Sequence, residues 1–135
     1  MNLNKPCLIY TLLALILSSC TTEVTQNPAS ATDFVVGQAY ELKRPAWMRN
    51  GALLTLRDKE AADSEGVLSP GTRLLVRKVE ILRGPEHGTT TEVYAEIISG
   101  NSKGKIVDIS VISERLKTGF TKRDPEMLRV VEGNL

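Results

Sequence analysis

Short runs of alternating apolar and polar residues follow one another from about residue 34 to the end of the chain. A period of two is typical of strands with one face in a core, and turn residues separate these runs. The clearest runs are Thr91 to Ile98 and Lys105 to Ile112. The glycine-flanked polar stretch 100–104 between them predicts a β-hairpin. The pattern therefore predicts a mainly β domain of five or six short strands.

The alternation also predicts which side chains share a face. In the hairpin, the predicted core faces carry Val93, Ala95, Ile97, Val107, Ile109 and Val111. In the preceding run, Thr72 to Arg83, apolar residues occupy even positions first and odd positions afterwards. A change of parity within one strand predicts a β-bulge, as where a sheet curls into a barrel.

Other stretches are less regular. Val36 to Leu42 and Ala52 to Leu56 predict short strands, and the polar stretch 57–71 predicts a long loop that closes in a Ser-Pro-Gly turn. Residues 113–117 favour a helical turn. Glu126 to Val131 fit a closing strand, but Asp124-Pro125-Glu126 would equally begin a short helix, with Asp124 as its cap.

The N-terminal segment has a different pattern. Lys5 precedes eleven uncharged, mainly apolar residues, Cys7 to Leu17, which fit the core of a secretory signal peptide and are too short to span a bilayer. The following residues are rich in Thr, Ser and Ala, contain one proline, and have Val24 as their one sizeable apolar side chain. They predict a flexible tether, with a first edge strand as the alternative.

Leu17-Ser18-Ser19-Cys20 resembles the lipobox of bacterial lipoproteins. The resemblance implies that diacylglycerol is attached to the Cys20 sulfur and that a peptidase cuts between Ser19 and Cys20. It also implies an envelope protein held at the membrane through the acyl chains of Cys20. In Gram-negative lipoproteins an Asp after the cysteine retains the protein at the inner membrane. Thr21 therefore implies the outer membrane, facing the periplasm, if the source is Gram-negative.

The chain is thereby divided into a removed signal peptide (1–19), a lipidated N-terminus and tether (20–33) and one domain (34–135). The domain resembles a bacterial Src-homology-3-like barrel. Pro70-Gly71-Thr72-Arg73-Leu74-Leu75-Val76 is similar to that family's Lys-Gly-Thr-x-aliphatic-x-Val strand. Residues 93–97 and 104–107 are similar to the strands around its glycine-centred hairpin. The resemblance covers about residues 36–131 and implies a small five- to six-stranded barrel.

Charge and cysteine content exclude several functions. Removal of Lys5 with the signal peptide leaves equal numbers of basic and acidic side chains, so no net charge would attract nucleic acid. Cys7 lies in the signal peptide and Cys20 is the expected lipid site. The mature domain is therefore expected to have no disulfide and no cysteine-based metal site.

Candidate catalytic groups are few. His87, the one histidine, lies in a turn-like segment without a recognisable nucleophile or orienting partner, which favours a solvated loop. The same interpretation holds for four acids that are interrupted by basic residues and lack EF-hand spacing: Asp58, Glu60, Asp63 and Glu65. We therefore predict no catalytic, cofactor-binding or metal-binding residue and no enzyme. A hydrolase or hydrolase accessory that uses these groups is the alternative.

Aromatic residues are the candidates for binding. Trp47 is predicted either to bind a partner from a loop edge, with Tyr40 and Tyr94 on outward faces nearby, or to close one end of the core. Four cationic residues along one strand are predicted to solvate an exposed face or guard an edge: Arg73, Arg77, Lys78 and Arg83. The leading hypothesis is a non-catalytic envelope lipoprotein that binds a protein or the cell wall. A purely structural spacer is a further alternative.

Overall fold

The computed structural model describes residues 21–24, 31–55, 65–84 and 88–133. This part of the chain contains eleven strands and no helix. The strands are β1 (Thr21–Val24), β2 (Ala39–Leu42), β3 (Ala46–Arg49), β4 (Ala52–Leu54), β5 (Gly66–Leu68), β6 (Arg73–Gly84), β7 (Gly88–Ile97), β8 (Ile106–Asp108), β9 (Glu114–Arg115), β10 (Thr121–Lys122) and β11 (Leu128–Val130). The prediction of a mainly β domain is confirmed.

Nine of these strands form one sheet that curls into a half-barrel. Eight of them follow the order β11-β2-β6-β7-β8-β4-β3-β5, and only β4 and β8 run parallel. The long strand β6 pairs with β7 on one side, and on the other with β2 near its start and β1 near its end. The sheet has more strands than the five or six predicted, because the short runs 21–24, 46–49 and 66–68 pair as additional strands.

The core lies on one face of this sheet. Phe34 and Tyr40 meet edge to face there, with ring centroids 5.2 Å apart. The other large, fully buried side chains are Leu42, Met48, Leu53, Leu74, Val76, Val79, Ile97, Ile109, Ile112 and Leu128. The predicted inward face of β7 is confirmed, since its alternate residues from Val93 to Ile97 are all fully buried.

The predicted bulge in β6 is also confirmed. Val76 pairs with Ala95 and Lys78 pairs with Tyr94, so Arg77 is an extra residue in the ladder. Val76 and Val79 are both completely buried although they are three positions apart. Without the bulge, strict alternation would turn one of these two valines toward solvent.

The predicted hairpin at 100–104 forms. The Ile97 N–H donates to the Lys105 carbonyl (2.9 Å), and the Gly104 N–H donates to the Ile97 carbonyl (2.7 Å). The return strand is shorter than predicted, because the Asp108 carboxylate accepts the Ser110 N–H (2.8 Å) in a turn. Val111 is consequently 47% exposed, and its predicted place on the core face was wrong.

Two other segments differ from their predicted structure, and a third follows one of its two predicted alternatives. β5 lies inside the stretch 57–71 that was predicted as a loop, because it pairs with β3. β9 occupies part of 113–117, where a helical turn was predicted, and it pairs with β10. At 124–131 the Asp124 carbonyl accepts the N–H groups of Met127 and Leu128. This single turn leads directly into β11, so the strand alternative is confirmed for its three residues.

β1 lies inside the segment predicted as a tether. Thr21 pairs with Leu82 and Val24 pairs with Val79, which corresponds to the edge-strand alternative for these four residues. The predicted signal peptide, residues 1–19, and Cys20 lie outside the described residues. Within the described residues, no helix is long and apolar enough to cross a bilayer.

The two-stranded sheet β9–β10 packs beside β7. The Thr121 hydroxyl donates to the Thr91 carbonyl of β7 (2.7 Å), and the Thr32 hydroxyl donates to the Thr121 carbonyl (2.6 Å). Thr32 and Thr121 are both buried. These bonds attach both the entry segment and the small sheet to the end of β7 that lies near the β6–β7 connection.

Candidate functional site

A row of apolar side chains lies on the outer face of the sheet, opposite the core. In β3, Ala46 and Met48 are buried, so Trp47 between them points to the other face. Its direct neighbours across the sheet are Leu54 in β4 and Val67 in β5. We call these three residues, Trp47, Leu54 and Val67, the Trp47 strip.

The strip is accessible in part. Val67 is 56% exposed, and Trp47 and Leu54 are half-buried. The indole N–H of Trp47 donates to the Thr55 carbonyl (2.9 Å), which satisfies its one polar group and orients the ring. Trp47 therefore neither projects from a loop edge nor closes the core. It presents apolar ring surface from a strand.

Tyr94 lies on the same outer face, within a charged cluster. Its hydroxyl donates to the Glu92 carboxylate (2.6 Å). The Lys78 ammonium lies 4.8 Å from the Tyr94 ring centroid and 2.6 Å from the Glu80 carboxylate. Both the hydroxyl and one side of the ring are thus engaged within the protein, which favours a structural role for Tyr94 over ligand binding.

The surroundings of the Tyr94 hydroxyl disfavour its ionised form. Burial raises the pKa of the Tyr94 hydroxyl far above its ordinary value, and the hydrogen bond to Glu92 and the charges of Glu92, Glu80 and Asp108 raise it further. A phenol in this setting keeps its proton at neutral pH. Tyr94 is therefore a fixed hydrogen-bond donor and would not act as a general base.

Tyr40 is not at the surface. It is 2% exposed, and its hydroxyl accepts the Val35 N–H (3.1 Å). Burial, the largest cause, raises the pKa of its hydroxyl. The prediction of an outward Tyr40 was wrong because Tyr40 shares its parity with the core residue Leu42, and Glu41 between them faces outward.

The structure places Trp47 and Tyr94 on one face but does not bring them together. Tyr94 pairs with Asp108 in β8, and Asp108 pairs with Ala52 in β4, which pairs with Arg49 in β3. Two strands separate Tyr94 from the strand of Trp47, about 14 Å at the usual strand spacing. Of the three aromatic candidates, only Trp47 remains available as part of an apolar surface.

A second cluster, not predicted from the sequence, links β11, β2 and β6. The Glu41 carboxylate, 15% exposed, forms ion pairs with Arg129 and with Arg73, whose Nε lies 3.9 Å away. These residues line a cleft with Val130, Val131 and Glu132. Glu41, Arg73 and Arg129 are far apart in the sequence, and only the strand register brings them together. No local sequence motif therefore predicts this cluster.

Three of the four cations of β6 form ion pairs with acids on the outer face. Arg77 forms an ion pair with Glu96, Lys78 with Glu80 and Arg73 with Glu41. β6 is an interior strand, so the interpretation of these cations as guards of a sheet edge was wrong. Because each pair is partly solvated, it contributes little to stability and mainly balances charge on this face.

The remaining candidate groups give little chemistry. Glu65 is exposed, and its carboxylate accepts the Asn50 N–H (2.9 Å) at the β3–β4 turn. His87, Asp58, Glu60 and Asp63 lie outside the described residues. Among the side chains that the structure does describe, no three His, Cys, Asp or Glu residues are placed to share a metal ion.

Comparison with known proteins adds no relative. No protein-family model, curated protein or solved structure matches this chain.

Proposed function

We propose that this chain is a lipoprotein of the bacterial envelope, anchored through acyl chains on Cys20, whose domain binds a protein partner without catalysing a reaction. In a Gram-negative source it would lie at the outer membrane, facing the periplasm. The lipobox-like Leu17-Ser18-Ser19-Cys20, placed directly after an apolar stretch, supports the anchor. The Trp47 strip supports the binding role.

The strip has the properties of a small protein-binding surface. It joins a tryptophan to two aliphatic side chains across β4, β3 and β5, and β5 is the edge strand of the sheet. Tryptophan is enriched among residues that dominate binding energy, and apolar neighbours help exclude water from it. The indole N–H is already bonded within the protein, so the strip offers mainly apolar contact. This favours a protein partner over a wall glycan, whose hydroxyl groups need polar partners.

We further propose that the half-barrel is of the Src-homology-3-like kind. The Pro70–Gly71 turn that leads into β6 and the tight hairpin between β7 and β8 support this. Gly71 has a φ of +89° after Pro70, and the Thr72 N–H donates to the Ser69 carbonyl. These are features of a type II turn.

Acylation is tested in growing cells. Cells that express the full chain are supplied with a fatty-acid analogue that can be detected on protein, in parallel with the Cys20→Ser variant. Label on the wild-type protein and none on the variant is expected. An unlabelled wild-type protein of precursor length would refute the anchor.

Partner binding is tested with a photo-crosslinking residue at Val67. Ile106, 50% exposed and on the outer face of β8, is the matched control position. A protein crosslinked from position 67 but not from 106, and lost in a Trp47→Ala background, is the expected result. Equal crosslinking from both positions, or none from either, would refute the strip as a binding surface. Retention on purified cell wall that depends on Trp47 would replace the protein partner with the wall.

A further inference from the structure

The start of β1 lies next to the proposed lipid site. Thr21 is the first residue of β1, and consecutive Cα atoms are about 3.8 Å apart, so Cys20 cannot be far from this strand. β1 is joined to β6 by a four-residue antiparallel register, from Thr21 opposite Leu82 to Val24 opposite Val79. A single peptide bond thus joins Cys20 to the first residue of the sheet.

The register shows which end of the domain is near this point. β6 continues only two residues beyond Leu82, to Gly84, about 7 Å at the usual rise per residue. In the other direction Arg73 lies nine residues away, about 30 Å along the strand. The paired ends of β6 and β7, Gly84 and Gly88, are therefore close to the anchor, and the 100–104 hairpin turn is at the far end.

The β9–β10 turn lies at the same end. Gly119 of this turn packs so closely against Thr89 that an added Cβ would lie 1.9 Å from the Thr89 carbonyl oxygen. Thr89 pairs with Arg83, next to the pair formed by Leu82 and Thr90. We call the surface formed by Arg83, Thr89, Leu116 and Lys117 the anchor end.

The composition of the anchor end suits a bilayer surface. Leu116 is 40% exposed, and Arg83 and Lys117 are also exposed. Long cationic side chains beside an exposed aliphatic residue match the headgroup region, where the charge meets phosphate and the apolar group meets the acyl boundary. Within the small sheet and its turn, residues 114–122, the single acidic residue is Glu114 on β9, and it is exposed.

We propose that β1 holds the anchor end directly against the phospholipid headgroups, so that the domain has a fixed orientation on the membrane. This inference rests on the acylation of Cys20 proposed above. A free tether of 13 residues would instead place the domain roughly 20 Å from the anchor with no preferred end toward the lipid. The two arrangements differ in which side chains lie near headgroups.

The test uses the processed, acylated protein in vesicles of phosphatidylethanolamine and phosphatidylglycerol. A part of the lipid carries a nitroxide on its headgroup. With Cys7 removed and Cys20 acylated, one introduced cysteine is the only thiol for a fluorescent label. Thr118→Cys lies in the β9–β10 turn, and Asn101→Cys lies in the distal hairpin turn; both positions are exposed. Several-fold stronger quenching at position 118 than at 101 is expected.

A second pair of variants tests β1 itself. Thr22→Pro with Glu23→Pro removes two consecutive N–H groups, one of which must point toward β6 in a strand. Thr22→Ala with Glu23→Ala keeps both groups. The proline pair is expected to equalise quenching at the two label positions, and the alanine pair to preserve the difference.

The outcomes separate the two proposals. Protein that lacks acyl chains and stays off the vesicles refutes the anchor, and with it the orientation. Acylated, vesicle-bound protein with equal quenching at positions 118 and 101 refutes the orientation alone. A third outcome is weak quenching of the label at position 118, together with shielding of this label from solvent only after cell extract is added. This outcome would assign the anchor end to a protein partner and overturn the inference.

Discussion

Replacing Gly119 with alanine should destabilise the protein more than the same replacement at Gly100. Both glycines lie in turns and have nearly the same left-handed backbone, with φ of +83° and +78°. A Cβ at Gly100 would meet no atom within 4 Å, whereas a Cβ at Gly119 would lie 1.9 Å from the Thr89 carbonyl oxygen. The pair therefore separates backbone strain from the close approach of the β9–β10 turn to β7.

The magnitudes follow from these two terms. An alanine in the left-handed region costs about 1–2 kcal/mol, which is the whole expected effect at Gly100. Cβ contacts below 3.0 Å essentially do not occur in proteins. Because the atom met at Gly119 is the Thr89 backbone oxygen and not a flexible side chain, the whole turn must move away from β7. Forced repacking of this kind costs a further ~1–3 kcal/mol. We expect a loss of about 2–5 kcal/mol for Gly119→Ala, or a melting temperature lower by about 10–25 °C in a domain of this size.

Urea unfolding followed by the fluorescence of Trp47, the only tryptophan, measures both variants. Equal losses for Gly119→Ala and Gly100→Ala would show that the turn does not pack against Thr89, and would contradict the structure at the anchor end. A loss at Gly119 confined to the small sheet would instead appear as increased amide exchange at β9 and β10 with an unchanged midpoint. That result would show that the sheet detaches independently of the core.

Three further predictions concern the core, a buried hydrogen bond and pH. Leu74 is fully buried, and Leu74→Ala should lower the free energy of unfolding by about 2–5 kcal/mol in the same urea titration. Leu75 is half-buried on the outer face, and Leu75→Ala should lower it by about 1 kcal/mol or less. Similar losses for the two variants would contradict the register of β6. Thr121→Val removes a buried hydroxyl donor and should cost about 1–2 kcal/mol, while exposed Thr118→Val should cost almost nothing. The raised pKa of Tyr94 means that above about pH 10 the unfolded chain loses the phenolic proton before the folded protein does, so stability should fall as pH rises. Tyr94→Phe should reduce this alkaline loss in urea midpoints taken near neutral and alkaline pH, and an unchanged slope would refute the assignment.

The sequence predicts well those strands whose pattern is strong. The face of β7 and the turn at 100–104 follow from alternation and glycine placement. The bulge in β6 follows from the changed parity between Val76 and Val79. Each of these signals is local, because it depends on which residues alternate within one run.

The missed hairpin between β3 and β4 also had a local signal. Asn50 and Gly51 both have positive φ, 48° and 74°, and Arg49 pairs with Ala52. A two-residue Asn-Gly turn between apolar runs is a strong indication of a hairpin, since these residues tolerate the left-handed backbone. The sequence therefore carries a local signal for this hairpin.

Other features depend on pairing between distant segments. β5 has three residues and contains a glycine, so nothing within it distinguishes a strand from a loop until it pairs with β3. The contacts of Glu41 with Arg73 and Arg129 arise only when β2 lies between β6 and β11. Tyr40 illustrates a different difficulty, since its hydroxyl suits the surface but accepts a backbone N–H inside the core.

The proposed anchor and the pairing of β1 would strengthen each other. A strand of four residues at a sheet edge contributes few hydrogen bonds, and an exposed leucine with two cations binds a bilayer weakly. Acyl chains at Cys20 would keep the anchor end close to the headgroups, so these weak contacts would form at a high effective concentration. The same contacts would in turn limit the motion of the residues next to Cys20 and keep β1 paired with β6. Neither weak interaction needs to be stable alone, because the covalent link between them would make the two contributions act together.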